Sequence, residues 1–190
     1  MLIRRISTVS ILALLAGTLF AVQVPRRSPE FAINMVNGKQ LLLSQYHGKA
    51  VALLFVLTYC PHCQLTTQML TKLQYEYGPR GFQVIGSAIE DMAKMAVPDF
   101  VKRLQPSFPV GYSDRNSVLE YLQHPAMLRM MMPQLVFIDR EGMIRAQYSG
   151  DDAYFGPDQE KNLRQSIESL LKENVPVRKT HAVTKARKRG

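Results

Sequence analysis

The apolar residues of this chain change their spacing several times, and each change predicts a new element of secondary structure. Residues 31–36 and 39–43 are predicted strands on either side of Asn37-Gly38, a dipeptide typical of hairpin turns. A single helical turn is predicted at residues 44–47. Residues 50–57 are all apolar, as expected for a central strand that is covered on both faces. Further strands are predicted at residues 82–89, 108–112, 134–139 and 143–148, the last two forming a hairpin.

Helical spacing fills the stretches between these strands. Residues 60–77 carry apolar side chains at four-residue intervals until Gly78 and Pro79 end the pattern; the predicted buried residues are Leu65, Met69, Leu73 and Tyr77. A second helix is predicted to contain Pro98 in its first turn and to end at Leu104. Asp114 is a candidate cap for a third helix, which contains Ser117, Val118 and Tyr121. Residues 158–173 form the predicted fourth helix, whose apolar face consists of Leu163, Ile167, Leu170 and Leu171.

The order of these elements predicts an α/β fold with a mixed central β-sheet, helices on both faces and an N-terminal β-hairpin. A chain of 190 residues has room for one such domain. We assign the domain to residues 30–174, after a targeting segment at residues 1–24 and a linker at residues 25–29. Residues 175–190 show almost no apolar periodicity and are predicted to be a disordered basic tail.

The formal net charge of +9 comes from the two ends of the chain. Residues 28–177 contain fourteen basic and fifteen acidic residues, so the predicted domain is close to neutral. The sequence therefore argues against a nucleic-acid partner, because no basic stripe crosses the domain. We expect the basic tail to be a solvated end, with attachment to anionic lipid as the alternative.

The first 24 residues have the features of an export signal. Arg4 and Arg5 precede residues 6–24, which carry no charge. Nineteen residues are at the short end of what spans a bilayer and are long for the apolar core of a signal peptide. Cleavage after Ala21 would place the large Leu19 where a small residue is usual, so a signal peptide and a membrane anchor both remain open. Either one predicts a periplasmic or other extracytoplasmic protein, free or anchored to the inner membrane.

The strongest chemical signal is the pair Cys60 and Cys63, the two cysteines of the chain. They enclose Pro61 and His62 where the apolar strand meets the first long helix, an arrangement typical of thiol–disulfide exchange sites. Half of a zinc site is an alternative, but the sequence has no second CxxC and no closely spaced pair of histidines. A structural disulfide is the other alternative, although so short a loop would add little stability.

The position of the pair predicts separate roles for the two sulfurs. Unpaired N–H groups and the dipole at a helix N-terminus stabilise an anion, so Cys60 is the predicted nucleophilic thiolate. Cys63 lies one turn further into the helix and is predicted to resolve the mixed disulfide. His62, when protonated, would favour the charged sulfur; a solvent-exposed histidine without a tuning role is the alternative.

Four stretches match a known family over residues 28–172: Pro29-Glu30-Phe31 with Asn37-Gly38-Lys39 and Leu43-Ser44, then Gly48-Lys49-Ala50-Val51, then Phe108-Pro109-Val110 with Asp114, and finally Met132-Pro133 ahead of residues 136–142. On these residues the chain resembles the thioredoxin superfamily, and within it the TlpA/ResA-like branch of AhpC/TSA-type redoxins. The resemblance implies a thioredoxin-like oxidoreductase that needs no cofactor or metal and that acts on protein thiols with a redox partner protein. It also implies that Pro133 is a cis-proline facing the cysteines and that Met132 and Tyr59 line the substrate site. Pro61 and His62 form the dipeptide of the oxidant DsbA and would tune the reduction potential.

The chain departs from the family at positions that bear on the direction of electron transfer. Tyr59 replaces the tryptophan usual before the first cysteine, and Leu54 and Thr66 stand where thioredoxins and ResA-like reductants carry carboxylates for proton transfer. These departures argue against a dedicated reductant. Val56 and Leu57 argue against a peroxidase, because a peroxiredoxin needs proline and a hydroxyl residue shortly before its cysteine.

Two rival functions remain open for this fold. A Sco-like copper-binding protein would use both sulfurs, a distal histidine such as His124 and the methionines at residues 130–132, although Sco proteins have one more residue between the cysteines. An inactive adaptor would bind partners without exchanging disulfides.

Overall fold

The structure, a computed structural model, describes residues 23–172. Within this range the chain forms one mixed sheet with the strand order β1-β8-β7-β4-β5-β6-β2-β3. The strands are β1 (Arg26–Arg27), β2 (Ala32–Asn34), β3 (Gln40–Leu42), β4 (Ala50–Val56), β5 (Phe82–Ala88), β6 (Val110–Tyr112), β7 (Gln134–Ile138) and β8 (Met143–Tyr148). Strand β4 lies at the centre, parallel to β5 on one side and antiparallel to β7 on the other. The predicted mixed sheet and N-terminal hairpin are therefore confirmed.

The helices pack on both faces of the sheet, as predicted. They are α1 (Pro61–Tyr77), α2 (Ala93–Leu104), α3 (Arg115–Leu122) and α4 (Gln159–Lys172), and short 3₁₀ turns occupy Leu43–Tyr46, Gly78–Arg80 and Ala153–Phe155. Alternate side chains of β4 enter two separate cores, because successive residues of a strand point to opposite faces. One core contains Leu54 and Val56 with the buried residues of α1, α2 and α4. The other contains Leu53 and Phe55 with α3 and the N-terminal hairpin.

Helix α2 begins at Ala93, so the prediction that Pro98 occupies a first turn is wrong. Pro98 is the sixth residue of the helix, where it cannot donate a backbone hydrogen bond. Ala93, Val97 and Phe100 are all buried in the core beside α1. Tertiary packing of this apolar face outweighs the local preference of proline for a helix start.

Leu73 and Tyr77 of α1 are buried as predicted and Met69 packs against the core, but the start of the helix differs from expectation. Leu65 was expected in the core but is 45% exposed, while Thr66 and Thr67 are buried. Each threonine hydroxyl donates a hydrogen bond of 2.8 Å to the carbonyl four residues earlier, those of His62 and Cys63. Because these hydroxyls are satisfied inside the helix, burying them costs little.

The ends of the described range differ in part from expectation. Residues 25–29, expected to be a linker, contain β1, which pairs with β8. Most of the expected targeting segment and the whole of the expected basic tail, residues 175–190, lie outside the described residues. Between residues 23 and 172 there is no helix with the length and apolarity needed to span a bilayer.

The topology places one end of the sheet in position for chemistry. Parallel strands β4, β5 and β6 end at the same edge, and ligand sites of open α/β sheets lie outside the carboxyl ends of such strands. Helix α1 starts immediately beyond β4 at this edge. The CxxC segment therefore lies at the edge where reactive groups are expected.

Candidate active site

Cys60 is the N-cap residue of α1, and Pro61 occupies the first helical position. Proline is favoured there because its missing N–H has no partner in the first turn of a helix. The N–H of Cys60 donates to the Leu57 carbonyl at 3.0 Å, and the Cys60 carbonyl accepts from the N–H of Gln64 at 3.0 Å. The side chain of Gln64 donates back to the Thr58 carbonyl at 2.9 Å. The turn between β4 and α1 is therefore held on both sides of the first cysteine.

The two thiols differ in environment although they lie close together. Cys60 is half-buried, whereas Cys63 is completely buried in the core beneath α1. Burial raises the pKa of the Cys63 thiol, a hydrogen bond with the Cys60 sulfur raises it further, and the negative charge of Glu90 adds to this effect. The buried sulfur is therefore held in its protonated form, and only the outer sulfur has access to solvent.

Pro133 and Met132 reach the same edge of the sheet from strand β7. The Met132–Pro133 peptide bond is cis, as the resemblance implied. Gln134 lies opposite Phe55 in the β4–β7 pairing, so the two residues before it extend alongside the turn that leads to Cys60. Met132 packs partly buried against both cores, and Pro133 is buried.

Gly150 holds the segment before Pro133 in place. A Cβ atom at Gly150 would overlap the backbone of Met132, so only glycine permits this approach of the two chain segments. The N–H of Gly150 donates to the Met131 carbonyl at 3.2 Å, and the Gln134 side chain donates to the same oxygen at 2.6 Å.

The residues on either side of Cys60 along the chain have exposed side chains. Tyr59 is 68% exposed, and Pro61 and His62 are exposed as well. Of the methionines preceding Pro133, Met131 is exposed and Met130 is buried, so the run of three divides between surface and core.

Glu90 is a functional candidate that sequence reasoning missed. It lies just beyond β5, after Ile89, and its Oε1 atom accepts hydrogen bonds from the backbone N–H of Thr58, at 3.1 Å, and from the Thr58 hydroxyl. The available signal was its place two residues after the end of a buried parallel strand, at the edge that also carries the cysteines. No spacing motif connects Glu90 with the CxxC segment.

The two positions where the family carries carboxylates hold neutral groups with ordinary partners. Leu54 is buried in the core that contains Cys63. Thr66 is fully buried, and its hydroxyl oxygen accepts a hydrogen bond of 2.7 Å from Nε2 of Gln159, the first residue of α4. Thr66 therefore connects α1 to α4 through a hydrogen bond between two uncharged side chains.

The structure does not gather His124 and the two cysteines into a metal-binding cluster. Within residues 23–172 there is no cluster of three or more His, Cys, Asp or Glu residues that could hold a metal ion. Nδ1 of His124 lies 3.0 Å from the carbonyl oxygen of the adjacent Pro125.

Comparison with known proteins identifies a family and several sequence relatives. The Redoxin family model matches residues 23–167. The thiol-disulfide oxidoreductase ResA of Bacillus thuringiensis subsp. konkukian is 24% identical over 156 residues, which cover 82% of this chain and 80% of that protein. ResA of Halalkalibacterium halodurans is 28% identical over 156 residues, with coverage of 77% and 85%.

Solved structures agree on the fold. A thiol:disulfide interchange protein of the thioredoxin family from Chlorobium tepidum TLS superimposes with a TM-score of 0.65 at 21% identity, covering 80% of this chain and 99% of the other. A thiol:disulfide interchange protein from Bacteroides sp. gives a TM-score of 0.63 at 16% identity, with coverage of 83% and 95%. The chain thus belongs to the Redoxin family and is a thioredoxin-like, ResA/TlpA-like thiol–disulfide oxidoreductase.

Proposed function

We propose that this protein is exported and exchanges disulfides with protein substrates, with Cys60 as the nucleophile and Cys63 as the resolving thiol. The observation that carries the proposal is the unequal exposure of two adjacent sulfurs at the start of α1. A substrate can reach the N-cap sulfur, while the inner sulfur can reach only its neighbour.

The exchange proceeds in two balanced steps. The Cys60 thiolate attacks one sulfur of a substrate disulfide, so that a mixed disulfide forms and the other substrate sulfur leaves as a thiolate. Cys63 then loses its proton and attacks the Cys60 sulfur, which closes the Cys60–Cys63 disulfide and releases the second substrate thiolate. The substrate gains two electrons and the protein loses two; the reverse sequence oxidises a substrate dithiol.

The residues around Cys60 divide into two proposed roles. Pro61 and His62 border the reactive sulfur and would tune its potential. Tyr59, Met132 and Pro133 would contact the substrate chain, because the exposed tyrosine and the segment before β7 approach the cysteines from two sides. Extended substrate backbone can pair with such a segment in the manner of an added strand.

Substitution of each cysteine separates these roles. The native protein should catalyse the reduction of insulin by dithiothreitol, and Cys60→Ser should abolish this catalysis. Cys63→Ser should accumulate a mixed disulfide that is visible by non-reducing electrophoresis. Thr67→Ser is the control for a general disturbance of α1: it changes a residue of the same helix but keeps the hydroxyl that donates to the Cys63 carbonyl. This variant should retain insulin reduction. Insulin reduction that survives Cys60→Ser would refute the assignment.

The direction of transfer is decided by the reduction potential of the Cys60–Cys63 pair. Equilibration with glutathione at a series of redox ratios, followed by thiol trapping, measures this potential. The Pro-His dipeptide and the neutral Leu54 and Thr66 favour an oxidant, with a value closer to that of DsbA, about −120 mV, than to that of thioredoxin, about −270 mV. A value near the thioredoxin figure would make the protein a reductant.

Export rests on the uncharged residues 6–24 behind Arg4 and Arg5. Fractionation of cells that express the full chain should place the protein outside the cytoplasm, and mass spectrometry of its N-terminus should distinguish a cleaved signal from an anchor. Deletion of residues 1–24 should retain the protein in the cytoplasm. Equal export of the deleted form would contradict this part of the proposal.

A further inference from the structure

The carboxylate of Glu90 is held against Thr58, two residues before Cys60, in an incomplete hydrogen-bond arrangement. Both donors of Thr58 bind the same oxygen, Oε1. The second oxygen, Oε2, is buried and has no hydrogen-bond partner among the described residues. A buried carboxylate oxygen without a hydrogen bond lowers the stability of the folded protein. Its presence so close to a reactive site suggests that a group binds this oxygen during the reaction.

The backbone explains why Glu90 lies at this position. Val56 pairs with Ala88 in the parallel β4–β5 ladder, and the N–H of Ile89 donates to the Val56 carbonyl at 3.1 Å. Continuing this register by two residues along each strand brings Glu90 beside Thr58. Thr58 in turn accepts a hydrogen bond from Gln64 of α1, so Glu90 is connected through one residue to the helix that carries the buried thiol.

Cys63 is the group near Glu90 that needs a proton acceptor. Its thiol is fully buried and is held in the protonated form mainly by that burial, while its role as resolving thiol requires the thiolate. The family's usual carboxylate positions are occupied by Leu54 and Thr66, neither of which can accept a proton. Glu90 is the carboxylate whose charge acts on Cys63.

The other charged groups near Glu90 face solvent. Asp91, Lys94, Asp114 and Arg115 line an open cleft of about 370 Å³ that adjoins Glu90 at the ends of β5 and β6, and His62 of α1 is exposed. Water can therefore reach this side of Glu90, which gives a transferred proton a path to solvent.

We propose that Glu90 is the proton acceptor for Cys63 in the resolving step, an inference that rests on the proposed roles of Cys60 and Cys63. Oε2 takes the proton of Cys63 as its sulfur bonds to the Cys60 sulfur, and the bond from Cys60 to the substrate sulfur breaks. The substrate leaves as a thiolate, and Glu90 later releases its proton to the cleft. In the opposite direction a protonated Glu90 gives its proton to Cys63 as this sulfur leaves the Cys60–Cys63 disulfide.

Stopped-flow reaction of the reduced full-length protein with dithiobis(nitrobenzoate) separates the two steps. Attack by Cys60 releases one coloured thiolate, and closure by Cys63 releases a second. Glu90→Gln keeps an oxygen for the Thr58 hydrogen bonds but cannot accept a proton. We expect an unchanged first phase and a second phase slowed about 100-fold near pH 7, within the usual range for a lost general base. Glu141→Gln, which removes an exposed carboxylate at the turn between β7 and β8, should leave both phases unchanged.

The pH profile separates proton transfer from positioning. In the native protein, exchange of one proton between Glu90 and Cys63 leaves the total proton count unchanged, so the second phase should be nearly constant between about pH 6 and pH 8. In Glu90→Gln it should accelerate about tenfold per pH unit, as the thiolate fraction rises. Thr58→Val, which loses only the hydroxyl bond, should keep the flat profile.

Three results would overturn the inference or its basis. A second phase in Glu90→Gln with the native rate and profile would make Glu90 a structural residue only. A native second phase that rises about tenfold per pH unit would also exclude an internal acceptor, and this measurement does not depend on the variant folding. Loss of the first phase would be a different result, because it would overturn the role of Cys60 in the proposed function.

Discussion

Substitution of Thr66 by valine should destabilise the protein, because it removes the acceptor of a buried amide. Nε2 of Gln159 donates to the Thr66 hydroxyl oxygen at 2.7 Å, and the two residues are 0% and 4% exposed. Valine has almost the same shape as threonine, so the change leaves no cavity. It leaves the Gln159 amide without this partner at the contact between α1 and α4.

The expected cost follows from that orphaned donor. A buried polar group without a partner costs about 1–3 kcal/mol, and we expect about 2 kcal/mol for Thr66→Val because both residues are almost fully enclosed. With a denaturant slope of about 2 kcal/mol per molar urea, the unfolding midpoint should fall by about 1 M. Urea titration followed by circular dichroism measures the shift directly.

Thr67→Val provides the matched control. Thr67 is equally buried, and its hydroxyl donates the same type of bond to a carbonyl one turn earlier, but no side chain donates to it in the described structure. Its substitution should change the free energy of unfolding by less than about 0.5 kcal/mol. The double variant Thr66→Val with Gln159→Leu should recover most of the loss, because both polar partners are then replaced. Equal effects of the two valine substitutions would refute the reasoning.

Other consequences of the structure can be tested in the same protein. Burial raises the pKa of the Cys63 thiol, so its alkylation by iodoacetamide should lag behind that of a free cysteine at about pH 8.5. Labelling at the rate of a free cysteine would contradict the raised pKa. The free energy of unfolding should also fall as the pH rises above about 8.5, because the unfolded chain then releases a proton from Cys63 that the folded protein keeps. Gly150→Ala should displace the Met132 backbone and lower kcat/KM for insulin reduction. Gly78→Ala is the control: its new methyl group would meet only the flexible side chain of Gln74, so kcat/KM should not change. Asp139→Ala should lower the free energy of unfolding by about 3 kcal/mol in urea titrations, because the buried carboxylate accepts hydrogen bonds from two turn N–H groups and an arginine. The first phase of dithiobis(nitrobenzoate) reduction should not change, because these groups lie far from the cysteines. A loss of stability below about 1 kcal/mol would contradict this prediction.

Local patterns in the sequence were sufficient for much of the fold and for the cysteines. The apolar run at residues 50–57 predicted the central strand, and observed β4 lies within it. Asp114 caps α3 as predicted, accepting from the N–H of Ser117 at 2.9 Å. Helix α1 starts immediately after Cys60. These features depend on residues within one or two turns of each other, so neighbouring sequence is enough to specify them.

Burial along the helices was harder to predict, because it depends on which face meets the sheet. The apolar spacing of residues 60–77 predicted that Leu65 is buried, but the observed face runs through Thr66 and Thr67. Pro98 indicated a helix start, but packing of Val97 and Phe100 carries α2 through it. In both cases long-range contacts outweigh a local preference.

The sequence by itself determined the reactive pair, Cys60 and Cys63, and the helix that presents it, because both follow from residues adjacent along the chain. Only the tertiary structure decided which groups surround that pair. Glu90 reaches Thr58 across 32 positions of sequence, and Gln159 reaches Thr66 across 93. These partners come from β5 and α4, and their arrival beside the cysteines depends on strand register and helix packing. The chemistry of the outer sulfur is therefore local, while the environment of the inner sulfur is assembled by the fold.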